Sequence, residues 1–578
     1  MKYEQQISAA FTKLKFSPRE GQAEAINRLL VSFLDDGFKT VVLSAPTGVG
    51  KSIIAAVTAE VLHTITKPNE EFGASFLLSP TNILSDQYFS TFMKDRAPWD
   101  NLFRVVKGAA AYECPALTTD AKVVTAEDCT IRMFKKTGKQ AIIDQFCETC
   151  EYNQQKAKRE MSRHMITNYA VFLIDRLFID LLKRRTLTVF DEGHLLNDLF
   201  TNFATLEYST KSLEQLCDDI VDVLGPSGIT MVTEVRAVIE LMNRENGVNR
   251  ENYMIILDSF QDFFEELSTS AARKAEQTND SARYVKLKRI ASKYGNELMK
   301  IVCLNEYNYD HSFEFTLPDQ YKKEKISVFS VKPIFIGELF SMLEHSDYNL
   351  ICSATISEEY ARTTMTLENA TYIRLPPVFP KENKKVVFYK AQNLNFTTLQ
   401  SAEVKTKLLN ACRDICQHHI DKNERGIILT PSFVINEDIA NFLIAEFPRT
   451  NFIVHRKGNK MENIIEQFKF TDGNCIMITP SGYEGMDLSG DLSRFQILVK
   501  APFASLGEAR MKHIATHYSK IYSIITLMKL VQGAGRSIRG PEDWAVTYML
   551  DSNIHRLWSS KQMAWADEFS SSSKLFLD

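Results

Sequence analysis

The chain has 578 residues, of which 44% are hydrophobic and 24% charged, with a formal net charge of -4. That composition excludes wholesale disorder, and at ~150 residues per domain the length points to about four folding units. The slightly acidic balance, with pI near 6.3, excludes a globally basic nucleic-acid coat and leaves only a local basic channel for a polyanion.

No apolar run is long enough to span a bilayer, and the opening MKYEQQISAAFTKLKF lacks the apolar stretch of a secretory signal. A cytoplasmic location without membrane attachment is therefore expected. In that reducing setting the ten cysteines are not expected to form a disulfide framework, and clustered ones are candidates for metal ligation or catalysis.

In chain order, residues 39–57 read KTVVLSAPTGVGKSIIAAV. Thr40 to Ser44 predict a buried strand, Ala45 to Gly50 a turn containing Thr47 and Gly48, and Lys51 onward a helix, which is the strand, loop and helix order of a phosphate-binding P-loop. Glycines at 48 and 50 let backbone N–H groups approach phosphate oxygens. Lys51 can reach the β and γ phosphates of ATP, and the Ser52 hydroxyl can ligand Mg2+ at the helix N-terminus. Ala45 stands where the strict pattern has Gly.

Four cysteines cluster between residues 106 and 160: Cys114, Cys129, Cys147 and Cys150. Four thiolates suit tetrahedral Zn2+ or an iron–sulfur cluster, and spacing alone does not separate the two. The basic residues that follow, Lys156, Lys158, Arg159 and Arg163, suit a phosphate backbone or simply a solvated face. The other six cysteines, Cys217, Cys303, Cys352, Cys412, Cys416 and Cys475, fall in helix- or strand-like runs and read as small buried hydrophobes.

TLTVFDEGH at 186–194 predicts a buried strand ending in two carboxylates. Asp191 is suited to hold Mg2+ and Glu192 to orient or deprotonate an attacking water. From about 200 to 330 the segments LEQLCDDIVDVL, TEVRAVIELMNRE, YMIILDSFQDFFEEL and YVKLKRIASKYGNELMKIV carry apolar residues at helical spacing. RLPPVFPKENKK at 374–385 predicts a linker. Beyond it, runs near 384, 426, 451, 474, 495 and 544 predict buried strands of a second α/β unit. QGAGRSIR at 532–539 carries Arg536 and Arg539 beside Gln532; on a helix the two arginines would share a face and could present guanidinium groups to a phosphate. The tail from 570 is expected to be loosely ordered.

Taken together, these stretches resemble the ordered motifs of superfamily 2 helicases, in particular the XPD/DinG branch. FSPREGQ at 16–22 resembles the adenine-recognition segment, with Arg19 and Gln22 at its RxxQ positions. LSPTNILSDQ at 78–87 resembles the strand-tracking motif, and DEGH the DEAH box in a Gly193 form associated with DinG-like members. SATIS at 353–357, ILTPSF at 428–433, GYEGMDLSG at 482–490, which includes Gly485 and Asp487, and the 532–539 box complete the series.

The resemblance implies an α/β fold of two RecA-like motor lobes with parallel sheets. It implies motor lobe 1 at 1–105, 161–199 and 331–375, an iron–sulfur domain at 106–160, a helical Arch domain at 200–330 and motor lobe 2 at 376–578. KGAAAYEC at 107–114 and CEYNQQKAK at 150–158 resemble the stretches flanking that family's cluster, with Ala111 and Glu151 departing from its pattern. The four cysteines are thereby implied to hold a 4Fe-4S cluster. The implied activity is an ATP-dependent, 5'-to-3' DNA helicase, active as a monomer on single-stranded and forked DNA, with Arg536 and Arg539 stabilising the transferred phosphoryl group. The compact length fits a bacterial or viral source. An RNA-stimulated ATPase, a protein-stripping translocase and an ATP-switched scaffold are the alternatives.

Overall fold

The computed structural model describes every residue except 95–100, 115–124, 127–149, 180, 246, 308–309, 318–325, 368, 396, 481–487, 489, 536, 539, 541, 561–567 and 575–578. The chain divides into two compact units. One comprises Met1–Val42, Ser52–Cys352 and Ala361–Tyr372, and the other Leu43–Lys51, Ser353–Tyr360 and Ile373–Asp578. Among the described residues no helix is long and apolar enough to cross a membrane.

The strands of the first half are β1 (Thr40–Ser44), β2 (Ser75–Ser79), β3 (Phe103–Val106), β4 (His164–Asn168), β5 (Arg185–Asp191), β6 (Leu206–Ser209), β7 (His311–Thr316), β8 (Val328–Pro333), β9 (Ser346–Ser353) and β10 (Ala370–Arg374). Seven of them form one sheet in the order β10-β1-β9-β5-β2-β4-β3, and the β3-β4, β4-β2, β2-β5 and β5-β9 pairs are parallel. Parallel neighbours require crossover connections that place helices over the sheet faces. That is why β2 and β5 are buried at every position.

The insertion after β5 is helical, as expected, with helices at Thr210–Leu224, Ile229–Met242, Tyr253–Gln277 and Ser281–Tyr307. Ser209 and Ser212 close a reciprocal capping box at the start of the first of these. Aromatic residues fill the core: the Tyr208 ring lies 5.2 Å from Phe260 and 5.3 Å from Phe329. The sequence reading missed a three-stranded antiparallel sheet, β6-β8-β7, at the base of these helices. β6 lies more than a hundred residues from β7 and β8, so no local pattern announces its pairing.

The second half supplies β11 (Lys384–Gln392), β12 (Gly426–Leu429), β13 (Asn451–Val454), β14 (Cys475–Thr479), β15 (Phe495–Leu498), β16 (Ala545–Asp551) and β17 (Ser570–Lys574). They form a parallel sheet in the order β13-β14-β12-β15-β16-β11-β17. All six expected strands are present, and parallel sheets in both halves agree with the expected α/β class. The tail expectation is corrected. Ser570 to Lys574 pair with Lys385 to Tyr389 as an edge strand. An edge strand is held by backbone hydrogen bonds along one side, so a serine run with no apolar signal can still form one.

Candidate functional site

β1 ends at Ser44, and the loop that follows turns through Gly48 at φ +89° and Gly50 at φ +82°. Both angles lie where a side chain is strained, which is the physical reason for glycine at these two positions. The helix Lys51–Thr66 then begins on Lys51 itself, so Lys51 and Ser52 occupy its first turn. Ala45 is fully buried, and its N–H donates to the Ser353 carbonyl at 2.9 Å. The alanine is thus accommodated by packing. Against Gly48 lies the Phe379 ring, close enough that an added Cβ would stand 2.1 Å from it.

Upstream, the Gln22 amide oxygen accepts from the Arg19 backbone N–H at 2.9 Å, and Gly21 adopts φ +77°. The turn before the Gln22–Leu34 helix is therefore shaped by the side chain that the resemblance assigns to adenine.

Asp191 is the last residue of β5 and is 5% exposed. Its carboxylate Oδ2 accepts from the Tyr88 hydroxyl, and its carbonyl accepts from the Tyr169 hydroxyl at 2.8 Å. Glu192 adopts φ +52°, a left-handed conformation uncommon for a residue with a side chain. Its Oε2 lies 3.3 Å from His194 Nδ1. Asp191 and Ser52 supply oxygen donors of the kind Mg2+ takes, so the donor chemistry fits that ion.

The third letter of DEGH has a steric origin. A Cβ on Gly193 would stand 2.3 Å from Ile351 Cγ2 of β9, a branched atom with little freedom to move. Gly193→Ala is expected to cost about 1–3 kcal/mol through overpacking. Thermal melting should show the loss, and combining it with Ile351→Ala should cost less than the sum of the two single-variant losses.

In the other unit, Gln532 lies near the end of the helix Ser519–Ala534, and its Nε2 donates to Thr355 Oγ1 of the SATIS stretch at 3.1 Å. The helix ends at Ala534 with Gly535 as its C-cap. Arg536, Arg539, Gly485 and Asp487 themselves lie outside the described residues.

Of the four clustered cysteines, Cys129 and Cys147 also lie outside the described residues. Cys114 is buried, and half-buried Cys150 caps the helix Glu151–Lys158. The Tyr112 and Tyr152 rings, each two residues from one of these thiols, lie 5.6 Å apart. The Ala126 N–H donates to the Tyr112 carbonyl at 2.8 Å, bringing a third segment of the insertion to the same place. A thiol at a helix N-terminus, as at Cys150, fits thiolate ligation. Among the described residues, which include only these two thiols of the cluster, no group of three or more His, Cys, Asp or Glu side chains is arranged to hold a metal. The six scattered cysteines are buried, and burial pushes the Cys412 thiol up to about 12, which keeps it protonated and inert.

Neither reading of Arg163, phosphate tracking or a solvated face, agrees with the structure. Arg163 is buried, and its Nε and Nη2 each donate to the Glu60 carboxylate at 2.8 Å. Arg159 reaches the Leu181 carbonyl at 3.3 Å and lies 3.4 Å from Glu160. Arg185, at the start of β5, donates to the carbonyls of Ser162, Arg159 and Arg163 at 2.9, 3.1 and 3.2 Å. Arg159 and Arg163 thus anchor the return of the insertion into the sheet.

Sequence reasoning did not single out Tyr88, Tyr169 or Asn82. The only local signal is that Tyr88 lies within one helix of the strand-tracking stretch; its partner is more than a hundred residues away.

Residues 15–281 match the type III restriction enzyme res subunit family, and residues 415–569 match the helicase C-terminal domain family. The chain is 22% identical over 652 residues to the ATP-dependent DNA helicase YoaA of Haemophilus influenzae, covering 96% of this chain and 95% of that one. It is 21% identical over 437 residues to YoaA of Escherichia coli, covering 68% of this chain and 64% of the relative. Among solved structures, Xpd4 of S. tokodaii aligns with a TM-score of 0.55 at 14% identity, covering 96% of this chain and all of that one.

Proposed function

From the premise that this chain belongs to the XPD/DinG-like superfamily 2 helicases, we propose that it is an ATP-dependent DNA helicase or translocase moving 5' to 3' along a single strand. The observation that carries this reading is a complete phosphate-loop geometry within a chain similar end to end to a protein named an ATP-dependent DNA helicase. Lys51 holds the β and γ phosphates, and Asp191 with Ser52 holds Mg2+. Glu192 orients the attacking water, and Gln532, Arg536 and Arg539 are the residues that the resemblance assigns to the γ phosphate. Arg19 and Gln22 recognise adenine, and Ala45, Thr47, Gly48, Gly50, Gly485 and Asp487 line the nucleotide. Bound Mg2+ supplies charge neutralisation of the transferred phosphoryl group.

Cys114, Cys129, Cys147 and Cys150 are proposed to hold a 4Fe-4S cluster, supported by the convergence of the Tyr112 and Tyr152 segments. Binding of the cluster would supply folding free energy to this insertion. Bacterial relatives favour action in a cytoplasm.

Strand displacement on tailed duplexes of both polarities and both sugars tests the proposal, with Lys51→Ala as the inactive reference. Displacement only of DNA bearing a 5' tail is expected. An ATPase rate indifferent to single-stranded DNA in iron-loaded protein overturns it, and a colourless preparation with stoichiometric zinc overturns the cluster assignment.

A further inference from the structure

Three hydrogen bonds link the strand-tracking segment to Asp191, one of them directly to its carboxylate. The helix Asn82–Met93 opens with Thr81 as its cap, whose side chain accepts from the Leu84 N–H at 3.2 Å. Its first residue, Asn82, accepts at Oδ1 from Asn168 Nδ2 at 2.6 Å. Asn168 caps the short helix Tyr169–Ile174, and its neighbour Tyr169 holds the Asp191 carbonyl at 2.8 Å. Nearly two turns along the first helix, Tyr88 returns to the same residue and donates its hydroxyl to Asp191 Oδ2. The Tyr88 ring stacks on Phe92 at 6.0 Å with 19° between planes, which limits the paths open to the hydroxyl.

We propose that Tyr88 is a positioning residue. It fixes the Asp191 carboxylate for the metal and carries the state of the Asn82–Met93 helix, and hence of a bound strand, to that carboxylate. This inference rests on the helicase reading and deepens it. The two tyrosines divide the work. Tyr169 grips a backbone carbonyl that cannot turn without moving β5, whereas Tyr88 grips the carboxylate, which rotates about its own side-chain bonds. A small displacement of the helix therefore reaches the carboxylate through Tyr88 before it reaches the strand. Ile83, 60% exposed beside Asn82, keeps the N-terminal turn of this helix at the surface, where a strand can reach it.

The test is a Mn2+ titration read by electron paramagnetic resonance on the full chain, with and without single-stranded oligothymidylate, for parent, Tyr88→Phe and Tyr169→Phe. The loss of a partner that orients a ligating carboxylate is expected to weaken strand-free Mn2+ binding by about ten-fold in Tyr88→Phe. In the parent, the strand is expected to tighten Mn2+ binding by about five-fold or more, and Tyr88→Phe is expected to abolish that response. Tyr169→Phe should lower the melting temperature and keep the strand response, which separates positioning from simple loss of stability. Parent-like Mn2+ affinity and strand response in Tyr88→Phe overturn the inference. A parent whose ATPase ignores the strand overturns the helicase reading instead, and the strand-free Mn2+ affinity still decides whether Tyr88 positions Asp191.

Discussion

Replacing Lys51 by alanine is expected to lower ATP turnover by about 10²–10³-fold, or about 3–4 kcal/mol of transition-state stabilisation, while leaving the fold in place. The catalytic side of this follows from the loop. Gly48 and Gly50 in left-handed conformations bring backbone N–H groups to the phosphates, and Lys51 in the first helical turn supplies the mobile positive charge. As charge shifts toward the β–γ bridging oxygen and the leaving group, an ammonium placed there stabilises the transition state more than the ground state. The structural side follows from the helix. Alanine is the best helix former, and removing a half-exposed lysine opens no cavity in the core. Phosphate release under saturating ATP, beside a thermal melt of the same preparations, checks both halves. A variant that turns over ATP at the parent rate would mean that the loop holds no nucleotide phosphate.

Arg163→Met is expected to lose about 3–5 kcal/mol of stability, because it leaves the Glu60 carboxylate buried without its bidentate partner. Glu60 is 1% exposed, on the helix that Lys51 begins. Besides Arg163, it takes Lys13 Nζ at 2.7 Å and lies 3.3 Å from His164 Nε2. Burial alone would raise its pKa. The hydrogen bonds from His164 and Arg163, with Lys13, outweigh burial and hold the carboxyl well below the usual carboxylate range. The sign of the pH effect follows: the unfolded carboxyl titrates near ~4.3, the folded one far lower, so this stabilisation is complete above about pH 5 and drains away as pH falls. His63, pushed down to about 4 by burial, acts in the same direction, since the unfolded imidazole takes up a proton below about pH 6.5 while the folded one stays neutral. Melting temperature against pH should fall on the acid side, less steeply in Glu60→Gln. Glu60→Gln combined with Arg163→Met should recover part of the single-variant loss.

How much of this was legible in the sequence can be seen residue by residue. Thr40–Ser44 and Lys51–Thr66 coincide with the expected strand and helix start, because a buried parallel strand, a glycine turn and an apolar helix each leave a local pattern. The six runs of the second half were legible for the same reason. Ser570–Lys574 was not: pairing along β11 depends on an edge that exists only after the sheet has formed. Arg163 was misjudged because a cation beside other cations looks solvated, and its partner Glu60 lies 103 residues away.

The amino-acid sequence by itself determined the order of the chemistry: a phosphate loop, a carboxylate pair at a strand end, a cysteine cluster between them and an arginine box far downstream. It could do so because each is a short stretch whose residue types and spacing form a local pattern. Only the tertiary structure decided which side chains support those stretches. It set Tyr88 on the Asp191 carboxylate, Ile351 against Gly193, Gln532 on Thr355 and Arg163 on Glu60. Such contacts join positions far apart in the chain, and their energies come from burial and geometry that exist only once the sheets are assembled.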